Sequence, residues 1–181
     1  LPGGLNEYGV AAYKLADEFA QREVDFLLAI GGISFEGGRT LGRDMTVASL
    51  RRAYDAVFLA VGLAGVRSLG IEGEDLDGVM DAVDFIEGLR SSRKQTVPVG
   101  RRVVVIGGGN TAVDAAVQAR RLGAQDVTLV YRRGAENMSA TTVEREWAQT
   151  NGVTVRLWAS PVRLVAVSYT HLRAHETLRP L

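Results

Sequence analysis

Hydrophobic positions along this chain fall into several patterns, and each predicts a different element. Residues 103–106, Val-Val-Val-Ile, are an unbroken β-branched run, which suits a strand buried on both faces of a parallel sheet. The run stops at Gly107, Gly108 and Gly109 and resumes with helix formers from Asn110 through Leu122. Residues 126–131 predict the next strand, and residues 153–158 another. Residues 55–61 read as a further buried strand, ended by Gly62. Residues 33–36 alternate and read as a short strand, with residues 39–42 as a candidate extension. Helical spacing covers residues 17–29, where Phe19, Val24, Leu27 and Leu28 oppose charges and Gly31-Gly32 ends the run. It also covers residues 46–53, with Thr46 as candidate cap, and 81–89. A helix over 141–149 should turn Val143 and Trp147 inward, with Asn151-Gly152 at its C-cap. Residues 2–6 are a turn-rich start and 63–77 a polar, glycine-rich linker. Residues 91–100 are a loop that Pro98 keeps from continuing as helix.

The stretch from Arg101 to Ala116 carries the clearest chemistry. Strand, tight glycine turn and helix make the context a dinucleotide-binding loop needs, and Gly107, Gly109 and Ala112 have its spacing. Gly107 permits the turn, Gly109 lets a pyrophosphate approach the backbone, and Ala112 keeps the helix close to the strand. The helix N-terminus adds N–H groups and partial positive charge. Gly107, Gly108, Gly109, Asn110 and Thr111 are therefore the candidate pyrophosphate residues. The plainer alternative is a glycine-rich turn that binds nothing. The β-α-β-α-β run is Rossmann-like but short of the five or six strands usual in a doubly wound sheet.

Composition narrows the classes. A chain of 181 residues holds one ordinary domain or two small ones. A hydrophobic share of 46% with formal net charge +0 describes a soluble globular protein and argues against a nucleic-acid surface. No apolar run approaches a membrane span, and the opening Leu1-Pro2-Gly3-Gly4 has no signal-peptide pattern. The absence of cysteine removes disulfides, thiolate nucleophiles, cysteine-ligated zinc and iron–sulfur clusters from this polypeptide, and fits a reducing cytoplasm. An opening Leu rather than Met reads as part of a longer gene product.

From about Val167 the texture changes. Residues 167–177 follow no earlier period and hold both histidines, His171 and His175. Their spacing would put two imidazoles on one face of a helix, as metal ligands need. The same stretch resembles one reading frame of a transposon-end sequencing adapter, which predicts a non-native tail that binds no metal.

Residues 54–62, Tyr-Asp-Ala-Val-Phe-Leu-Ala-Val-Gly, look like the "ATG" strand of two-dinucleotide flavoproteins, with Val61 where that group usually has Thr. Residues 2–5 look like the loop that passes the flavin ring. Together with residues 103–114 and 127–133 they resemble the family of the glutamate synthase small subunit and the dihydropyrimidine dehydrogenase flavin module, over about residues 1–164. Residues 3–14, and Tyr131-Arg132-Arg133-Gly134 followed by Met138, lean toward the bacterial NAD-dependent dihydropyrimidine dehydrogenase small subunit.

That resemblance implies an α/β fold: part of a two-dinucleotide-binding, Rossmann-like flavoprotein, with parallel sheets and helices on both faces. It divides the chain into a partial FAD-binding domain lacking its first βαβ (1–62), a crossover with a helix (63–100), the front half of an NAD(P)-binding domain (101–166) and a non-native tail (167–181). It implies FAD and NADP or NAD as cofactors, with iron–sulfur clusters only in an N-terminal part outside this chain. Hydride would pass between NAD(P)H and FAD, and electrons to a catalytic partner subunit, either pyrimidine-reducing or the glutamate synthase large subunit. It implies a cytoplasmic enzyme with no nucleic-acid or membrane partner. The isolated chain is expected to be inactive and not to retain FAD. Residue by residue, Gly3, Gly4 and Leu5 would pass the flavin, and Gly62 would close the "ATG" strand beside it. Lys14 stands where the family has a basic residue near the ring, and Leu41 lies near the strand meeting the adenine side. Asp114 recurs in the loop-helix pattern, where the helix dipole alone would favour a carboxylate. No catalytic acid, base or nucleophile is legible, and hydride transfer to flavin needs none.

Two choices stay open. The strand at 127–131 ends in Arg132-Arg133, with no carboxylate before Glu136. Guanidinium groups favour a 2′-phosphate and hence NADP(H), whereas the resemblance to the dihydropyrimidine enzyme points to NAD. The alternatives to a flavin subunit of this kind are a disulfide-reductase-type flavoprotein, which needs a C-x-x-C absent from this chain, and a non-catalytic nucleotide-sensing domain.

Overall fold

The computed structural model describes residues 2–16, 18–62, 65–91 and 97–166, and the backbone of residues 178–180. Its centre is a parallel sheet of β1 (Arg102–Ile106), β2 (Asp126–Val130) and β3 (Val153–Arg156), in the order β1-β2-β3. Arg102 pairs with Asp126 and Ile106 with Val130; Val127 pairs with Val153 and Val130 with Arg156. Parallel neighbours need crossover connections. Here they are α5 (Asn110–Arg121) and, between β2 and β3, α6 (Thr142–Thr150). Among the described residues four helices precede the sheet: α1 (Gly4–Tyr8), α2 (Phe19–Ala29), α3 (Val47–Ala53) and α4 (Ala82–Ser91). A two-stranded antiparallel ladder joins β4 (Ala159–Pro161) to β5 (Leu178–Pro180).

Alternation along the strands decides which face is covered. Val105, Val127, Leu129 and Val153 point into one core with Val113, Ala116 and Val117 of α5 and Ala148 of α6. Residues 112–119 of α5 are all buried, and alanine there lets the helix sit close to the sheet and to α4 and α6. Val104, Thr128 and Thr154 face the other way, and Val104 stays 62% exposed. The expected helical cover is thus seen on one face of the sheet among the described residues.

Caps fix several boundaries. The Thr46 side chain accepts from the Ser49 amide in a reciprocal capping box, and the Thr141 side chain accepts from the Glu144 amide. Thr141→Ala is expected to lower the unfolding free energy by about 1 kcal/mol in urea melts. A loss indistinguishable from zero would show that the cap contributes nothing to the fold.

Several sequence expectations are corrected. Residues 33–36 and 55–61 belong to no ladder among the described residues. A strand exists through its neighbours' hydrogen bonds. Without them Phe58 is 93% and Val61 74% exposed. Residues 39–42 contribute only a single bridge, Leu41 to Met45. The turn-rich start is in fact helical from Gly4. Val143 and Trp147 are exposed, not inward; the inner side of α6 carries Glu144 and the fully buried Ala148. Asp17, Leu63, residues 92–96 and the two histidines lie outside the described residues. In the stretch read as a non-native tail, the backbone of Leu178–Pro180 pairs with Ala159–Pro161.

Candidate dinucleotide-binding site

β1, β2 and β3 run parallel, so their C-terminal ends share one edge, where open α/β sheets bind their ligands. Two sequence-predicted groups meet there. The first is the glycine turn. The Gly107 amide donates to the Val130 carbonyl at 3.0 Å, and its φ of +154° is open to glycine. A Cβ on Gly107 would come within 3.0 Å of the Ala112 Cβ, so the small residue at position 112 does hold the helix against the turn. α5 opens at Gly109, which provides no side-chain cap. The N–H groups of Asn110 and Thr111 are among those an α-helix leaves without intrahelical partners, and both residues are exposed.

The second group is Arg132-Arg133, which leaves the end of β2. Both are exposed, and among the described residues neither guanidinium makes an ion pair or hydrogen bond. Glu136 does not neutralise them: its carboxylate lies over Gly134, in the space a Cβ there would take. The arginine backbone is held from the far side. The Trp158 amide donates to the Arg133 carbonyl at 3.3 Å and the Ala159 amide to the Tyr131 carbonyl at 3.2 Å. Trp158 makes this turn with φ +55°, a left-handed conformation uncommon for a bulky side chain. Glycine, an uncapped helix and unpaired guanidinium groups at one sheet edge are the kind of donors the phosphates of a pyridine dinucleotide need.

The flavin-side candidates do not converge in this way. Gly3 caps α1 at φ +133°, and Gly4 and Leu5 open that helix. Leu41 sits in its bridge with Met45 and Gly62 is exposed. Among the described residues no hydrogen bond ties either to Gly3, Gly4 or Leu5.

Lys14 is engaged elsewhere. Its Nζ lies 2.6 Å from Asp114 Oδ1 and 2.8 Å from Glu144 Oε1. The Tyr13 hydroxyl donates to the same Asp114 oxygen at 2.8 Å. The Arg121 guanidinium stacks 4.9 Å from the Tyr13 ring and 5.2 Å from Trp147. Nearby, Arg90 donates to the carbonyls of Glu7, Leu15 and Asn6. The N-terminal segment is thereby bolted to α4, α5 and α6, and Asp114 is the bolt's buried centre. Sequence reasoning left Tyr13 and Glu144 out. One signal was available: a carboxylate within the apolar run 112–119 must find partners to be buried.

Burial, then the hydrogen bond to Asp114, then the charges of Asp114 and Glu144 push the Tyr13 phenol well above its ordinary range. Burial alone would lower the Lys14 ammonium, but hydrogen bonds to Asp114 and Glu144 outweigh it and raise the group above its ordinary value. Both folded values exceed the unfolded ones. The stability they contribute is complete below about pH 10 and is lost as pH rises through the folded values. Urea melts are expected to show stability from this joint level up to about pH 10 and falling above it, with a shallower decline in Tyr13→Phe. An identical slope in the variant would remove the tyrosine from this account.

Comparison with known proteins agrees with the geometry. The chain is 36% identical over 166 residues to the NADP(+)-dependent formate dehydrogenase subunit beta of Moorella thermoacetica, an alignment covering 91% of this chain and 23% of that protein. It is 37% identical over 169 residues to the glutamate synthase [NADPH] small chain of Escherichia coli (strain K12), covering 88% of this chain and 36% of that one. The chain therefore spans about a quarter to a third of the length of these curated relatives. Among solved structures it superposes on Mycobacterium tuberculosis FprA in complex with NADPH with a TM-score of 0.73 at 26% identity, covering 91% of this chain and 52% of that one. The profile of the pyridine nucleotide-disulphide oxidoreductase family matches residues 5–177, and with nearly its whole length matched the chain belongs to that family.

Proposed function

We propose that this chain supplies the pyridine-nucleotide site of an NAD(P)-dependent flavin oxidoreductase subunit. Gly107, Gly108, Gly109, Asn110 and Thr111 hold the pyrophosphate, and Arg132 and Arg133 face the ribose end. The observation that carries this is the close packing of Gly107 on Ala112 beneath an uncapped α5. The chemistry that FAD would supply here, when bound, is hydride and electron transfer beside the nicotinamide. Gly3, Gly4, Leu5, Leu41 and Gly62 would meet FAD once the exposed apolar residues near Phe58 are covered. Lys14 acts in this reading through the joint with Asp114 and Glu144 that holds the flavin side to α5.

The division at residues 62, 100 and 166 follows from the same assignment, as does a partner subunit receiving the electrons. Relatives named as beta subunits or small chains support such a partner. No helix among the described residues is long and apolar enough to cross a membrane; the cytoplasmic setting belongs to the resemblance. Residues 3–14 and 131–138 support dihydropyrimidine dehydrogenation as the overall reaction. The likeness to the Escherichia coli small chain favours glutamate synthase as the second reading. Both leave the nucleotide chemistry unchanged, because the final substrate would be handled elsewhere. Adapter origin of residues 167–181 rests on their likeness to one reading frame of a transposon-end adapter and on their change of texture; re-sequencing the source gene through Val165 would show either a native continuation or the adapter.

The test is anaerobic addition of NADPH or NADH to the holoenzyme containing this chain. Flavin absorbance should bleach at once, and Gly109→Val should abolish the bleaching. A flavin that stays oxidised with both nucleotides would sink the proposal.

A further inference from the structure

The two anion-recognising parts of the site are joined by one side chain. The Tyr131 ring lies directly on Gly108: a Cβ there would sit 2.5 Å from Tyr131 Cδ2 and Cε2. At its other end the Tyr131 hydroxyl donates to the Asn137 carbonyl at 2.7 Å. That bond closes residues 132–136 into an arc carrying Arg132 and Arg133. The root of the arc is fixed, since the Tyr131 amide donates to the Arg156 carbonyl at 2.9 Å. The returning limb is tied to the glycine turn, with the Ala140 amide donating to the Gly108 carbonyl at 2.9 Å. Gly108 is therefore gripped both by the ring and by the end of the arc.

We propose that Tyr131 is a positioning residue for nucleotide choice. By bridging Gly108 and Asn137 it sets the separation between the pyrophosphate turn and the guanidinium groups. The pyrophosphate and the 2′-phosphate sit on one adenosine, so their spacing is limited by covalent structure. Guanidinium recognition of phosphate is directional and is lost when the fork is misplaced. A glycine at 108 is then required by the tyrosine ring. This inference rests on the 2′-phosphate reading of Arg132 and Arg133.

NADP⁺ and NAD⁺ differ only at the 2′-position, so titration calorimetry of the two against the full 181-residue chain isolates the effect. Wild type is expected to prefer NADP⁺. Tyr131→Phe, which loses one hydroxyl and keeps the ring, is expected to lose about threefold to fivefold of that preference with NAD⁺ affinity unchanged. Gly108→Ala, which drives a Cβ into the ring, should lose it as well. A preference retained in full by Tyr131→Phe, or equal weakening of both nucleotides, overturns the positioning role and leaves the 2′-phosphate reading standing. Equal wild-type affinity for the two nucleotides overturns that reading and this proposal with it.

Discussion

Replacing Asp114 by alanine is expected to lower the unfolding free energy by about 2–3 kcal/mol, with an unchanged denaturant slope. Asp114 is 4% exposed, and its Oδ1 receives both the Lys14 ammonium and the Tyr13 hydroxyl. Its removal strands two polar groups at once. A buried donor left without an acceptor costs about 1–3 kcal/mol, and an unpaired buried charge more. The cost stays at the lower end here because Lys14 is 24% exposed and retains Glu144. Asp114→Asn should fall between wild type and alanine: the amide oxygen can still accept from Tyr13, but the charge opposite Lys14 is gone. A loss below about 0.5 kcal/mol for the alanine variant, in the range of ordinary surface substitutions, would show that the joint adds nothing to stability.

The joint also marks where local pattern stops informing. Residues 101–131 were readable because each element there announces itself within a few positions. β-branched runs give β1 and β2, three glycines give the turn, and alanine-rich sequence gives α5. The candidate pyrophosphate and arginine residues fall on the edge their spacing implied. Tyr13 and Asp114 are 101 positions apart, and nothing along the chain announces that contact. The same blindness reversed the face of α6. Its helical period was correct, but hydrophobicity set the phase by Val143 and Trp147. The inner side instead accepts Glu144, because Lys14 arrives from a distant segment to meet its charge. Residues 55–61 fail for a different reason. Their apolar run records a demand for burial, whereas a strand also needs a neighbour to pair with, and the described residues supply none.

Replacing Arg132 or Arg133 by alanine is expected to lower kcat/KM for NADPH by about tenfold or more while leaving NADH nearly unaffected. The argument starts from the end of β2, where an NAD-selective Rossmann domain carries Asp or Glu for the ribose hydroxyls. Here the position holds two arginines, and the next carboxylate, Glu136, folds onto Gly134. Charge-assisted hydrogen bonds contribute about 1.5–3 kcal/mol each. No protein ion pair has to be broken first, because neither guanidinium makes one among the described residues; both are exposed and hydrated, and the water they shed to a phosphate holds the gain toward the lower end of that range. A 2′-phosphate should gain from both arginines, so the double substitution should exceed either single one and bring the two nucleotides close to parity. NADH has only a neutral hydroxyl at that position, so it gains no charge-assisted bond there and can stack its adenine on one arginine. Steady-state kinetics on the holoenzyme containing this chain, with both nucleotides and all three variants, decides the matter. A wild type with no advantage for NADPH, or substitutions that weaken both nucleotides equally, would return these arginines to adenine stacking and leave the choice of cofactor to other residues.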